Sequence, residues 1–434
     1  MTPIFENKDK IALLGKAFAA GLEAVMPSRF MADIADQVKN SAAGKKVHVL
    51  SVGKAAGAMA DAYLKAGGAA GQMLIILPEG VAFDKPRGMP ENSVIIHSSH
   101  PVPNEASALA ARAALGMADG LDADDMLVVL LSGGGSSLMS LGIGNVTLQD
   151  KQAVNAALLA SGMSIQRMNI IRKHISAIKG GRLGVAAAPA QVMSFAISDV
   201  TGDAPDTIAS GPVSGDDSTK DQALELIKAY KLALPDTVMT LLQKPECESP
   251  FPDDERLKTI SYDIVASAKH ALEASAKIIQ KSGYHVEILG DGFEEDTARL
   301  ADIMEAHLAQ LPMGTALISG GEASVKIDGD KQNLGVGGRN AQFALEMAQR
   351  NLPDICGISC DTDGIDGGGK NAGALFYHGL TQDAEAQGIT IKTYYERYDS
   401  HSFFEAMGCA VYTGPTQTNV NDLRIILKGA PSSP

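Results

Sequence analysis

Short uninterrupted apolar runs and stretches with helical spacing take turns along this chain, a pattern that predicts strands alternating with helices. An opening helix spans Ile11 to Met26. The β-branched run Val47 to Val52 predicts a strand, Ala55 to Lys65 a helix, and Met73 to Leu77 a second strand. The same alternation returns at Met126 to Leu131 followed by Ser136 to Leu141, and at Gln191 to Ile197 followed by a loop rich in turn residues. Strands joined through helices argue for a parallel sheet covered by those helices.

A break in composition follows. Lys244 to Asp254 packs three prolines and four acidic residues into eleven positions with no apolar period, and it reads as a linker between domains. Beyond it, helices are expected over Ala266 to Lys281, Asp296 to Leu311 and Asn340 to Arg350, with strands at Val286 to Leu289, Ala316 to Ser319 and Ile355 to Cys360. The expected fold class is therefore α/β with two domains, 1–250 and 255–434, each a largely parallel sheet flanked by helices. The first is Rossmann-like, and the active-site cleft lies between the two. The last segment, about 411–434, is expected to pack back on the first domain.

Composition narrows the function classes. The chain has 434 residues, 45% of them hydrophobic and 20% charged, which is ordinary globular usage. Its longest apolar run, Met126 to Leu131, is far short of the roughly 20 residues needed to span a bilayer. Glu6 and Asp9 stand where a secretion signal would be basic, so a cytoplasmic location is expected. With 51 acidic against 37 basic residues the net charge is −14, which disfavours nucleic acid and anionic membrane as partners. A homodimer is a candidate assembly. The cysteines Cys247, Cys356, Cys360 and Cys409 form no CxxC and read as buried thiols.

The candidate chemistry sits in glycine-rich loops after strands, where α/β sheets bind ligands. Ser132-Gly133-Gly134-Gly135-Ser136-Ser137 leaves one strand and enters a helix, as a phosphate cradle would; a bare turn with serine caps is the plainer alternative. Gly320-Gly321-Glu322 echoes it after a second strand. Lys54 and Arg339 each follow a glycine at a predicted helix start, the wrong end of the dipole for a cation unless an anion binds there. Asp361, Asp363 and Asp366 leave one strand end within six residues and suit a hard ion such as Mg²⁺, the alternative being a solvated turn. Arg172, His174 and Lys179 fall in a basic stretch, Arg172 to Leu183, of a chain otherwise acidic, and could hold a small carboxylate or phosphate. Asp199 closes the strand that ends at Ile197 and offers a base. No GxGxxG follows any predicted strand, and no histidine pairs with a serine or cysteine at a hydrolase spacing.

These residues lie in blocks that resemble the type II glycerate kinase family, whose second domain carries the MOFRL motif and some of whose members bear a hydroxypyruvate reductase label. The blocks include VGKAAGAMA (Val52 to Ala60), LSGGGSSL (Leu131 to Leu138), RKHISAIKGGRL (Arg172 to Leu183), ISDVTGD (Ile197 to Asp203), GGRNAQFAL (Gly337 to Leu345), DTDGIDG (Asp361 to Gly367) and TGPTQTNVNDL (Thr413 to Leu423), in order along nearly the whole chain. Asn104, Tyr398 and Gln417 depart from the family's usual residues. The resemblance implies phosphorylation of D-glycerate by ATP with Mg²⁺, at the 2-hydroxyl. It implies that Lys54, Asp199 and Arg339 are catalytic positions and that the SGGGSS loop lies near nucleotide. On that reading Arg172, His174, Lys179 and Asn340 contact substrate, and the Asp361 cluster holds the metal. The rivals are a nicotinamide-dependent hydroxypyruvate reductase and a non-catalytic binder of phosphosugars.

Overall fold

A computed structural model describes residues 7–327 and 334–431; the outermost ends of the two expected domain ranges lie outside the described residues. The chain forms two compact units, Pro27–Val265 and a second made from Ala266 onward together with the chain's start through Met26. Among the described residues no helix is long and apolar enough to cross a membrane.

The Pro27–Val265 unit is built on a six-stranded sheet of β1 (Lys46–Val52), β2 (Gln72–Pro78), β3 (Val94–Ser98), β4 (Asp125–Leu131), β5 (Gln191–Ile197) and β6 (Ile260–Ala266) in the order β3-β2-β1-β4-β5-β6. The pairings of β1 with β2 and β4, of β2 with β3, and of β4 with β5 are parallel, as the alternation of strand and helix predicts. Every residue of β4 is buried, which is why its sequence is a continuous apolar run and not an alternating one. This strand order is that of the doubly wound dinucleotide-binding fold. The direction of winding reverses between β1 and β4, the place where such sheets open a crevice at their carboxyl ends.

The second unit departs from expectation. Its sheet contains β7 (His285–Gly290), β8 (Thr315–Ser319), β9 (Ile355–Asp361), β10 (Gly373–Tyr377), β11 (Ala410–Val411) and β12 (Asp422–Lys428) in the order β11-β10-β9-β12-β8-β7. Only β7 and β8 run parallel. β12 lies antiparallel to both β8 and β9, and β10 antiparallel to β9, so helices still flank the sheet but the sheet is mixed. The tail expected to return to the first domain is instead a central strand here, with all of Asp422 to Leu427 buried. A run such as Leu423 to Leu427 announces a buried strand but not its direction or neighbours, which are settled by pairing across the chain.

Two boundary expectations also fail. The opening helix, Lys8–Ala24, belongs to the second unit: Leu14, Ala17 and Phe18 join its core with Leu272, Ala276 and Leu423, and Ser275 Oγ donates to Ala17 O at 2.9 Å. The proline-rich stretch Lys244 to Asp254 is no linker. Cys247 and Ser249 are buried, and Arg182 Nη2 donates to Cys247 O at 2.8 Å and Glu248 O at 3.0 Å, which anchors the loop to its own unit. Phe18→Ala is expected to destabilise the second unit by about 3–5 kcal/mol through the cavity it leaves. Faster hydrogen exchange in β9 and β12 than in β1 and β4 is the checking observation; equal change in both sheets would contradict it.

Candidate active site

β1 and β4 run in register with Val52 opposite Leu131, so Gly53 and Ser132 leave the sheet side by side. They leave almost touching. Gly53 has φ +127°, a region open only to glycine, and a side chain there would collide with the backbone of Ser132. The contact is locked by Lys54 N donating to Gly133 O at 2.8 Å and Ala55 N to Ser132 Oγ at 3.0 Å. Lys54 thus emerges at the switch point, just ahead of the helix Ala56–Lys65.

Around the next two glycines three functional groups converge. A Cβ on Gly134, which has φ +83°, would come 3.0 Å from His100 Cδ2 and 3.5 Å from Lys54 Cγ, and one on Gly133 would strike the Asp199 carboxylate. Lys54 and Asp199 were expected here and His100 was not. His100 comes from the loop beyond β3 and opens the block HPVPN (His100 to Asn104), which also matches the family, but the sequence assigns it no role; the fold brings it to the glycines. Its pKa is lowered from 6.5 by burial and then by Lys54, so its imidazole is neutral at pH 7.

The same loop has a second side. Its residues Ser136 and Ser137 line a cavity of about 240 Å³ whose other walls include Lys151, Asn155, Arg172 and Lys179. Lys179 Nζ donates to Ser136 O at 2.7 Å and to Ser136 Oγ, and Arg172 donates to the side chains of Asn155 and Asn169. His174, expected beside them, is not there. Its ring is fully buried, with Nδ1 2.8 Å from Ile170 O and Nε2 3.2 Å from Glu248 Oε1, so both nitrogens are spent inside the fold. Neighbouring Lys173 is paired with Asp206 at 2.8 Å and Asp216 at 3.3 Å.

In the second unit the expected anion site at Arg339 is filled by the protein's own carboxylates. Arg339 meets Asp422 at 2.8 Å, Glu322 at 2.9 Å and Asp361 at 2.7 Å, and their charges hold its guanidinium protonated against its burial. The amides at the start of its helix, Arg339–Arg350, are capped by Asp366, whose carboxylate accepts from Asn340 N at 2.9 Å and Ala341 N at 2.8 Å and stands 3.2 Å from His401 Nε2. Both reasons for expecting a bound anion there are thereby met internally. Asn340, expected to touch substrate, gives Nδ2 to Asp422 at 2.6 Å and takes a bond from Ser359 Oγ at 2.6 Å. Gly320 and Gly321 serve the same hub, Gly320 O accepting from Arg424 Nη1 and Gly321 O from Asp422 N.

The three carboxylates expected to hold a metal have other partners in the same contacts. Asp361 faces Arg339, Asp366 caps a helix and Asp363 Oδ1 accepts from Ile365 N at 2.9 Å, so the three carboxylates point to different partners. Among the described residues no group of three or more His, Cys, Asp or Glu is placed to hold a metal ion. The Asp361 carboxyl is raised well above its usual range by burial and by Asp422. Asp422 is the residue that sequence reasoning missed; it lies more than fifty positions beyond the acidic loop, in TGPTQTNVNDL.

A doubly wound sheet that gathers a lysine, an imidazole and a carboxylate on a glycine loop defines an α/β protein built to handle an anionic small molecule. Residues 13–243 match the model of a domain of unknown function, DUF4147, and residues 315–422 match the MOFRL family. The chain is 31% identical to the D-glycerate 2-kinase of Thermotoga maritima over 97% of its own length and 98% of the relative's. It is 41% identical, over 77% of itself and 88% of the relative, to a protein of Agrobacterium vitis provisionally labelled a hydroxypyruvate reductase. The crystal structure of glycerate kinase from Thermotoga maritima superposes with TM-score 0.84 at 30% identity, covering 98% of this chain and 100% of that one. The chain belongs to the type II glycerate kinase family.

Two outcomes test this geometry. In Lys54→Met the His100 pKa, read by NMR titration of the imidazole, should rise toward its ordinary value, because a cation that disfavours imidazolium has gone; an unchanged or lower value would contradict the placement. Asp422→Asn should cost about 3–5 kcal/mol in denaturant unfolding, since Arg339 and Arg424 lose a buried partner.

Proposed function

We propose that the protein transfers the terminal phosphoryl group of ATP to the 2-hydroxyl of D-glycerate, giving 2-phosphoglycerate and ADP. The observation that carries this reading is the meeting of Lys54, His100 and Asp199 on Gly133 and Gly134, at the switch point of a chain in the glycerate kinase family. Phosphoryl transfer asks a protein mainly for positioning and for charge where charge develops.

In the proposed step the substrate hydroxyl oxygen attacks the γ-phosphorus as the bond to the β,γ-bridging oxygen breaks, and the hydroxyl proton passes to the Asp199 carboxylate. Lys54 stabilises the charge on the moving group. His100, neutral beside it, can donate one hydrogen bond without adding a proton to the balance. The family resemblance assigns Arg339 a charge-stabilising part as well. In this structure, however, its charge is already answered by Glu322, Asp361 and Asp422, so the proposal leaves the moving phosphoryl group to Lys54. Mg²⁺ would serve as the counter-ion of the nucleotide phosphates; the Asp361, Asp363 and Asp366 side chains, each turned to a different partner, do not fit it as a common cage.

Phosphorus NMR of the product from D-glycerate and ATP tests the reading, with the 2-phosphoglycerate resonance expected. Lys54→Ala should lower kcat by on the order of 10²-fold or more while the fold survives. Hydroxypyruvate-dependent oxidation of NADH with no ADP formed would instead favour the reductase, which the absence of a GxGxxG after β1 already disfavours.

A further inference from the structure

We propose that the cavity walled by Lys151, Arg172 and Lys179 is a binding site for a phosphate group with more than one negative charge, either the polyphosphate tail of a nucleotide or a phosphate monoester. The inference rests on the reading above for the choice between these two phosphate sources, but it is tested by binding and not by turnover, so either can fail without the other.

The first ground is a charge imbalance. Three cationic side chains line the cavity and no carboxylate does. Lys151 is only 8% exposed, and its Nζ has no hydrogen-bond partner among the described residues. Lys179 is 4% exposed and bonds only to neutral Ser136; Arg172 bonds only to neutral asparagines. Burying unpaired charge costs several kcal/mol per ion, and a fold that merely needed these side chains for packing would pair them, as it pairs Lys173 with Asp206 and Asp216. Burial and the nearby Arg172 lower the Lys151 pKa to about 8, and burial also lowers those of Lys179 and Arg172, so each site feels the missing counter-charge.

The second ground is shape and donor type. Lys151, Lys179 and the Arg172 guanidinium supply charged donors, and Ser136, Ser137 and Asn155 supply neutral ones, a set suited to tetrahedral oxyanions. At about 240 Å³ the cavity falls below the roughly 300–1,000 Å³ of sites that enclose drug-sized ligands, so it would take phosphates and leave a nucleoside outside. The single carboxylate of D-glycerate would neutralise only one of the three cations. The cavity shares its loop with Gly133 and Gly134, so a phosphate held at Ser136 lies within one helical turn of the residues that face Lys54 and Asp199.

The test measures binding by calorimetry and thermal unfolding on the whole chain, against sodium chloride of equal ionic strength. The probes are tripolyphosphate, 2-phosphoglycerate and D-glycerate, each added alone. Wild type should be stabilised by at least one of the two phosphates. Stabilisation by tripolyphosphate identifies the nucleotide tail as the source, and stabilisation by 2-phosphoglycerate alone identifies the monoester. Lys151→Met should bind that probe roughly thirtyfold or more weakly while melting higher than wild type without ligand, because an uncompensated buried charge has gone. Asn155→Asp should likewise melt higher and lose the phosphate response, and it keeps the test open if Lys151→Met fails to fold. The proposal is overturned if neither phosphate acts beyond the salt control, or if D-glycerate alone binds with the same dependence on Lys151. It is equally overturned if Lys151→Met melts lower with phosphate binding intact.

Discussion

The approach of Gly53 to Ser132 is the constraint on which the first unit's chemistry depends. β1 and β4 end level, and their departing chains touch so closely that a side chain at Gly53 has no space. That contact turns Lys54 outward and fixes the glycine loop beneath it through the bond from Lys54 N to Gly133 O. Two loops from flanking strands then find room against bare glycine backbone: His100 beyond β3 and Asp199 beyond β5. Were Gly133 or Gly134 any other residue, the added carbon would occupy the space in which these groups meet. The catalytic proposal therefore rests on what is absent from three glycines as much as on what Lys54 and Asp199 carry.

Two clusters in this chain treat buried charge in opposite ways. Around Asp422 opposite charges are brought together: its carboxylate takes bonds from Arg339, Asn340, Arg424 and the Ala323 amide. Such a paired network fixes one arrangement at the sheet end, and removing a member exposes the others. In the Lys151 cavity, among the described residues, Arg172 and Lys179 bond to neutral groups only and Lys151 Nζ to none. Local rules of satisfaction are broken at functional sites and kept elsewhere, and this contrast within one chain separates a structural cluster from a ligand site more sharply than residue type does. Arginine and aspartate in the second unit looked like the richer chemistry; Lys151 and Lys179 in the first are the cations that meet no carboxylate among the described residues.

What the sequence disclosed follows the range of the interactions involved. The strands at Val47 to Val52, Met73 to Leu77, Met126 to Leu131 and Gln191 to Ile197 are local features that the structure has within a residue of the pattern, whereas the helix expected over Ser136 to Leu141 ends at Leu138 and the strand Val94–Ser98 was not foreseen. Membership of the opening helix in the second unit, the central place of β12 and the pairing of Asp361 with Arg339 and Asp422 all join residues far apart in sequence, where periodicity carries no information. The misread linker has a different cause. Proline and acidic residues mark irregular backbone, which Lys244 to Asp254 is, but they do not say whether that backbone is packed, and Cys247 and Ser249 are buried within it. The acidic triplet misled for a related reason: three carboxylates at one strand end resemble a metal cage until the helix start and the arginine they serve are located.

The names borne by this chain's relatives conflict, and the fold alone does not choose between them. The strand order β3-β2-β1-β4-β5-β6 is the one that binds dinucleotides, so the sheet alone would welcome a reductase. A dinucleotide fold, however, passes pyrophosphate over a glycine turn after β1, where backbone amides and not a side chain meet the anion. Here that turn is a single Gly53 pressed against Ser132, and the next residue is Lys54. The glycine-rich turn has moved across the switch point to β4, and the crevice offers a cation, a neutral imidazole and a carboxylate in the place where a nicotinamide would need an open apolar face. Those are groups for guiding a charged fragment onto a hydroxyl, and they favour the kinase even though the relative with the higher identity carries the other label.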